Sequence, residues 1–162
     1  MGVKFGLILN KVRKVPSVFL FHYKIMKKKI HSVLLIDDSI PINYFHKIIV
    51  EKSGVALSCT SVNNGQEALD YLQSKQDTQM RLPELIFVDI NMPVINGWDF
   101  LEKFRANHKS VLKEVVMVML TTSINPDDRE KAKRLHVSSY LAKPLTVKVL
   151  VDLYDSYFKG RT

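Results

Sequence analysis

Five polar residues of this 162-residue chain, Asp37, Asp38, Asp89, Thr121 and Lys143, each close or directly follow a short apolar run. The runs are residues 32–36, 85–88, 115–120 and 140–142. If they are parallel strands, their carboxyl ends border the crevice in which open α/β sheets hold ligands, and residues far apart in sequence meet there. Adjacent carboxylates with a third nearby repel one another and raise each other's pKa. A divalent cation relieves that repulsion. Candidate ligands that are all oxygen, with no His/Cys cluster, suit Mg²⁺ better than Zn²⁺, because Mg²⁺ keeps several waters and bridges carboxylate to phosphate. Asp37 and Asp38 could instead cap the helix that follows, although one Asp suffices for that. Lys143 can neutralise one phosphoryl oxygen and Thr121 can donate its hydroxyl to another, which is the stabilisation that a phosphoryl group on the Asp89 carboxylate requires. Asn91 can offer a backbone carbonyl to the metal.

Strands alternating with helices are needed to position these groups. After the first strand, Ser39 is a suitable N-cap and Pro41 falls early in a helix whose apolar positions Ile42, Phe45, Ile48 and Ile49 recur at helical spacing, with Gly54 ending it. A second strand over about residues 55–62 leads through Asn63, Asn64 and Gly65 into a helix carrying Ala68, Leu69 and Leu72. Residues 74–81 read as a polar loop before Pro83 and the third strand. Trp98, Leu101 and Phe104 mark the third helix, Pro126 opens the fourth, and Leu150, Leu153 and Tyr157 line the last. Five strand–helix alternations imply a parallel sheet covered on both faces.

The formal charge of +8 resembles a nucleic-acid signal until it is located. Eight of the 24 Lys/Arg lie in residues 1–30 with no acid, so from His31 onward 16 basic residues face 16 acidic ones. No face of the domain then needs a nucleic-acid partner. The single cysteine, Cys59, excludes an intrachain disulfide scaffold and fits a cytoplasmic chain, with Cys59 as a half-buried strand residue. Residues 1–30 form a basic and apolar extension whose apolar stretches fall well short of the roughly 20 residues that span a bilayer. Met26 as the true start is the preferred reading. The other is an arm lying on an anionic membrane surface, where each Lys or Arg contributes about 1 kcal/mol. The domain is expected over residues 31–158, with 159–162 as a short tail.

Taken together, Ile36, Asp37, Asp38 and Ser39, then Asp89 to Pro93 with Gly97, then Leu120 to Ser123, and Tyr140 to Pro144 resemble the receiver domain of two-component response regulators. The resemblance covers about residues 31–158. It implies a flavodoxin-like sheet of five parallel strands in the order 2-1-3-4-5. It also implies that Asp89 accepts a phosphoryl group from a sensor histidine kinase or a histidine phosphotransfer protein. Asp38, Asp89 and the Asn91 carbonyl would bind Mg²⁺ directly, and Asp37 largely through water. Lys143 would pair with the phosphoryl group, and a cis peptide would precede Pro144. Thr121 and Tyr140 would form a switch pair read by a downstream protein target. Thr122 departs from the family, where a small residue is common, and is expected to narrow access to the phosphoryl group.

His22, His31, His46, His108 and His136 are scattered without a phosphotransfer motif and read as ordinary surface or edge residues. With only four residues after the domain, the expected function is a single-domain response regulator that signals by phosphorylation-dependent protein binding, with no external substrate. The alternative is a Mg²⁺-dependent aspartyl-phosphate phosphotransferase or phosphatase. Such enzymes often carry an acid two residues after the nucleophile, and here that position is Asn91.

Overall fold

A computed structural model describes residues 28–122 and 125–160. The readings made for residues 1–27, including the Met26 start, the membrane arm and His22, lie outside the described residues, as do Ser123 and the last two residues. The elements follow in order: β1 (Val33–Ile36), α1 (Ile40–Ser53), β2 (Cys59–Val62), α2 (Gly65–Asp77), β3 (Leu85–Val88), α3 (Gly97–Asn107), β4 (Val116–Thr121), α4 (Pro126–Arg134), β5 (Ser139–Ala142) and α5 (Val147–Tyr157), with a single 3₁₀ turn (Lys109–Val111) before β4. All strands pair in parallel, in the order β2-β1-β3-β4-β5.

Strands β1, β3 and β4 are buried along their whole length, as expected of central strands in a sheet covered on both faces. Alternate residues feed two cores. Leu34, Ile36, Ile86, Val88, Met117 and Met119 pack against α2, α3 and α4 on one face. Val33, Leu35, Leu85, Phe87, Val116 and Val118 pack against α1 and α5 on the other. Packing already includes residues 28–30: Ile30 is 1% exposed and bridges Ala56, and the Tyr154 hydroxyl donates to the Lys28 carbonyl at 2.5 Å.

Three readings of the sequence change. The buried face of α1 is Asn43, His46, Val50 and Ser53 rather than the apolar set around Phe45, which is 43% exposed. The polar residues occupy that face because each finds a main-chain partner there. Likewise His46 and His108 are 1% and 2% exposed, not surface residues: His46 bonds the Leu145 amide, and His108 Nδ1 bonds the Gln76 side chain at 2.7 Å. The loop expected from Ser74 is helical as far as Asp77, where a Gln73–Asp77 side-chain bond and the Ser74 hydroxyl to the Tyr71 carbonyl support a last turn that lacks any apolar signal. Smaller departures are that Ser39 holds the N-cap position of α1 without a side-chain capping bond, that the strand expected over residues 55–62 is confined to Cys59–Val62, and that Tyr154 rather than Tyr157 is buried in α5. Gly54 takes the left-handed conformation that ends α1, and Asn64 caps α2 by accepting the Glu67 amide.

Candidate functional site at the carboxyl ends of the strands

The ladder itself brings the polar residues together. Ile36 of β1 lies beside Val88 of β3, so the residues that follow them, Asp37 and Asp89, emerge side by side. The Asp37 amide is held by the Val62 carbonyl at 3.2 Å and the Asp89 amide by the Ile36 carbonyl at 2.9 Å. On the other side Thr121 pairs with Ala142, and the Lys143 amide donates to the Thr121 carbonyl at 2.9 Å. Strands β1, β3 and β5 thus each lead into a functional residue whose amide is held by the neighbouring strand.

Oxygen atoms of Asp37, Asp38 and Asp89 all lie within 4.8 Å of one another. Asp37 and Asp89 are buried, while Asp38 is exposed at the mouth. The Lys143 ammonium, on a side chain 10% exposed, reaches Asp37 Oδ2 at 2.5 Å and Asp89 Oδ2 at 2.9 Å. Burial raises the Asp89 carboxyl above the usual carboxylate range, against the pull of Lys143, and the charge of Asp37 adds to the rise. For Lys143 burial alone would lower the ammonium, but hydrogen bonds to Asp37 and Asp89 outweigh it and raise the pKa. The geometry is that of one ammonium shared between the Asp37 and Asp89 carboxyl groups.

One lone pair is left over. Asp89 Oδ1 is buried without a hydrogen-bond partner, a costly arrangement for a carboxylate oxygen in a protein interior. Three carboxylates with one ammonium leave net negative charge, and the donors are all oxygen. The residues present therefore fit a hard divalent cation. A cleft of about 490 Å³ opens beside them between Asp38, Asn91, Pro93, Asn96, Trp98 and Asp128. At Gly97 a Cβ would stand 2.3 Å from the Asp89 carbonyl oxygen, so only glycine lets α3 begin against this strand end.

The other residues read from the sequence are also here. Thr121 is fully buried at the end of β4, and Tyr140, opposite Met119 on β5, is half-buried with the Arg129 guanidinium 5.9 Å from its ring centre. Thr122 is exposed, and the Lys143–Pro144 peptide is cis. The sequence reading missed Asn43 and His46. Their only signal is spacing, three residues apart and in register with Val50 and Ser53.

Residues 33–155 match the family model for the response regulator receiver domain. The probable methanogenesis regulatory protein FilR2 of Methanothrix harundinacea is 30% identical over 135 residues, 79% of this chain and 83% of that protein. Response regulator Rcp1 of Synechocystis is 30% identical over 75% of this chain and 82% of its own length. The crystal structure of the Mn²⁺-bound form of a response regulator Rcp1 superposes with a TM-score of 0.63 at 27% identity, covering 82% of this chain and 96% of that one. The crystal structure of a two-component response regulator from Cytophaga hutchinsonii superposes with a TM-score of 0.74 at 34% identity, covering 82% of this chain and all of the other. Among the described residues no helix is long and apolar enough to cross a membrane. With its sheet order, its strand-end carboxylates and these relatives, the chain belongs to the response regulator receiver domain family and serves phosphorylation-dependent signalling.

Proposed function

We propose that Asp89 accepts a phosphoryl group from the phosphohistidine of a sensor histidine kinase or a histidine phosphotransfer protein, and that the phosphorylated chain binds a downstream protein target. The observation that supports this most is the asymmetry of the Asp89 carboxylate. Oδ2 is held by Lys143 while Oδ1 is buried and unpaired. A lone pair of Asp89 forms the new O–P bond as the N–P bond breaks, and the electrons of that bond return to the imidazole. Lys143 then pairs with a phosphoryl oxygen, and the Thr121 hydroxyl donates to another. Asp38, Asp89 and the Asn91 carbonyl would hold Mg²⁺, with Asp37 beside them as a less direct partner. When bound, Mg²⁺ supplies positive charge against the carboxylates and the incoming phosphoryl oxygens.

Drawing the Thr121 hydroxyl inward leaves room for Tyr140 to change rotamer, and so biases the surface made by α4, β5 and α5. Coupling of this kind is typically about 1 to 3 kcal/mol, enough to change partner affinity roughly 5 to 150-fold. The chain works in the cytoplasm and turns over no external substrate. The charge balance from His31 onward favours a protein target over nucleic acid.

Incubation with Mg²⁺ and acetyl phosphate, followed by mapping of the acid-labile adduct, should place one phosphoryl group on Asp89. Asp89→Asn should lose it. Labelling of Asp89→Asn at the wild-type level would end this reading.

A further inference from the structure

Helix α1 turns two polar side chains inward, and each holds a main-chain segment that carries the site. Asn43, 3% exposed, donates from Nδ2 to the Asp37 carbonyl at 2.8 Å and to the Val62 carbonyl at 3.0 Å. One turn later His46 Nε2 accepts the backbone N–H of Leu145 at 3.2 Å, across 99 residues of sequence. Leu145 is itself 1% exposed, so its amide has no water to turn to, and a buried amide without an acceptor is costly. The accepted N–H lies two residues beyond Lys143, whose ammonium bridges Asp37 and Asp89.

A ring nitrogen that accepts a hydrogen bond carries no proton, so the proton of His46 sits on Nδ1. Burial favours that neutral ring by lowering its pKa, against the attraction of Asp37 and with the repulsion of Lys143. A single helix face thereby ties the segment bearing Asp37 to the segment bearing Lys143. Both ties are hydrogen bonds to main chain, which fix a backbone position more sharply than apolar contact does.

We infer that His46 is a positioning residue for phosphoryl transfer: it anchors the backbone after Lys143, as Asn43 anchors the backbone at Asp37, so that ammonium and carboxylates keep one relative placement when charge arrives at Asp89. This rests on the reading of Asp89 as phosphoacceptor. Were His46 only a filler of core volume, any apolar side chain of similar size would replace it.

The test compares the full chain with His46→Leu, which keeps volume and removes the acceptor, and His46→Gln, whose side-chain oxygen can accept at similar reach. At saturating Mg²⁺, His46→Leu should be phosphorylated by acetyl phosphate about 10-fold more slowly, since small misplacements near reacting groups cost that much or more. Its half-saturating Mg²⁺ concentration should stay within about twofold of wild type, because Asp38 and Asp89 are not on the displaced segment. Exchange of the Leu145 amide should quicken in step. His46→Gln should restore both the rate and the protection. A wild-type rate in His46→Leu, or a slow rate that His46→Gln does not restore, overturns the proposal. If His46→Leu does not fold, His46→Met, with only a weak sulfur acceptor, carries the same expectations. Should the wild type take no phosphate, the Asp89 reading fails while the anchor is judged on Leu145 exchange alone, and unchanged protection without the imidazole overturns it.

Discussion

Helix α3 buries Trp98, Phe100, Leu101 and Phe104, whereas α1 buries Asn43, His46, Val50 and Ser53 and leaves Ile40, Tyr44 and Phe45 facing outward. The first is held by apolar area removed from water, the second by a smaller apolar contact through Val50 together with hydrogen bonds to backbone groups at the strand ends. Helix α3 starts at the site through Gly97 and runs away from it over a conventional core. Through Asn43 and His46, α1 bonds main-chain groups just beyond β1, at the end of β2 and in the turn into α5. An amphipathic helix can therefore be inverted locally, with polar residues inside, when the surface it covers is itself polar.

Four changes would break or sharpen this contrast. The largest effect is expected for Phe104→Ala in α3, which empties a fully buried site and should lower unfolding free energy by about 3 to 5 kcal/mol. Denaturant titration would show it, with phosphate uptake per folded molecule unaffected. Asn43→Ala in α1 removes hardly any apolar area yet takes the side-chain donor from the buried Asp37 carbonyl and one of two donors from the Val62 carbonyl, and is expected to cost about 1 to 3 kcal/mol by the same titration. A loss below that of an ordinary surface change would show that the α1 face is not held by its polar contacts.

The third is a pH dependence at the end of α3. Burial lowers the His108 pKa below its ordinary value of 6.5. Its contribution to stability is thus complete above about pH 6.5 and is lost as pH falls from there through the lowered folded pKa, because the unfolded chain takes the proton first. Unfolding measured at pH 7.5 and pH 5 should show a smaller loss in His108→Gln than in wild type, and an equal loss would contradict the burial argument. The smallest effect belongs to Tyr44→Ser. This aromatic side chain is 69% exposed, so its removal should change stability by less than about 0.5 kcal/mol despite its apolar character.

The same contrast explains what could be read in advance. Asp37, Asp89, Thr121 and Lys143 were legible because each ends an apolar run, and sheet topology gathers strand ends without further information. Trp98, Leu101 and Phe104 were legible because their burial follows the apolar pattern. The inward turn of Asn43 and His46 was not, since it depends on a carbonyl of β2 and an amide about a hundred residues away. Helical periodicity reports where oil is needed and is silent on where a hydrogen-bond partner is needed. The last turn of α2 failed for a related reason: its support is polar and local.

The bond from Tyr154 to the Lys28 carbonyl has a practical meaning for anyone who handles the molecule. It pins the start of the described chain to α5 at the end of the sheet where the strands begin, and Asp89 stands at the end where they finish. A chain immobilised through residues ahead of Lys28 would leave the support by the far pole of the domain. A bead, a sensor chip or a fused protein attached there would face away from the carboxylates and leave the phosphodonor free to approach them.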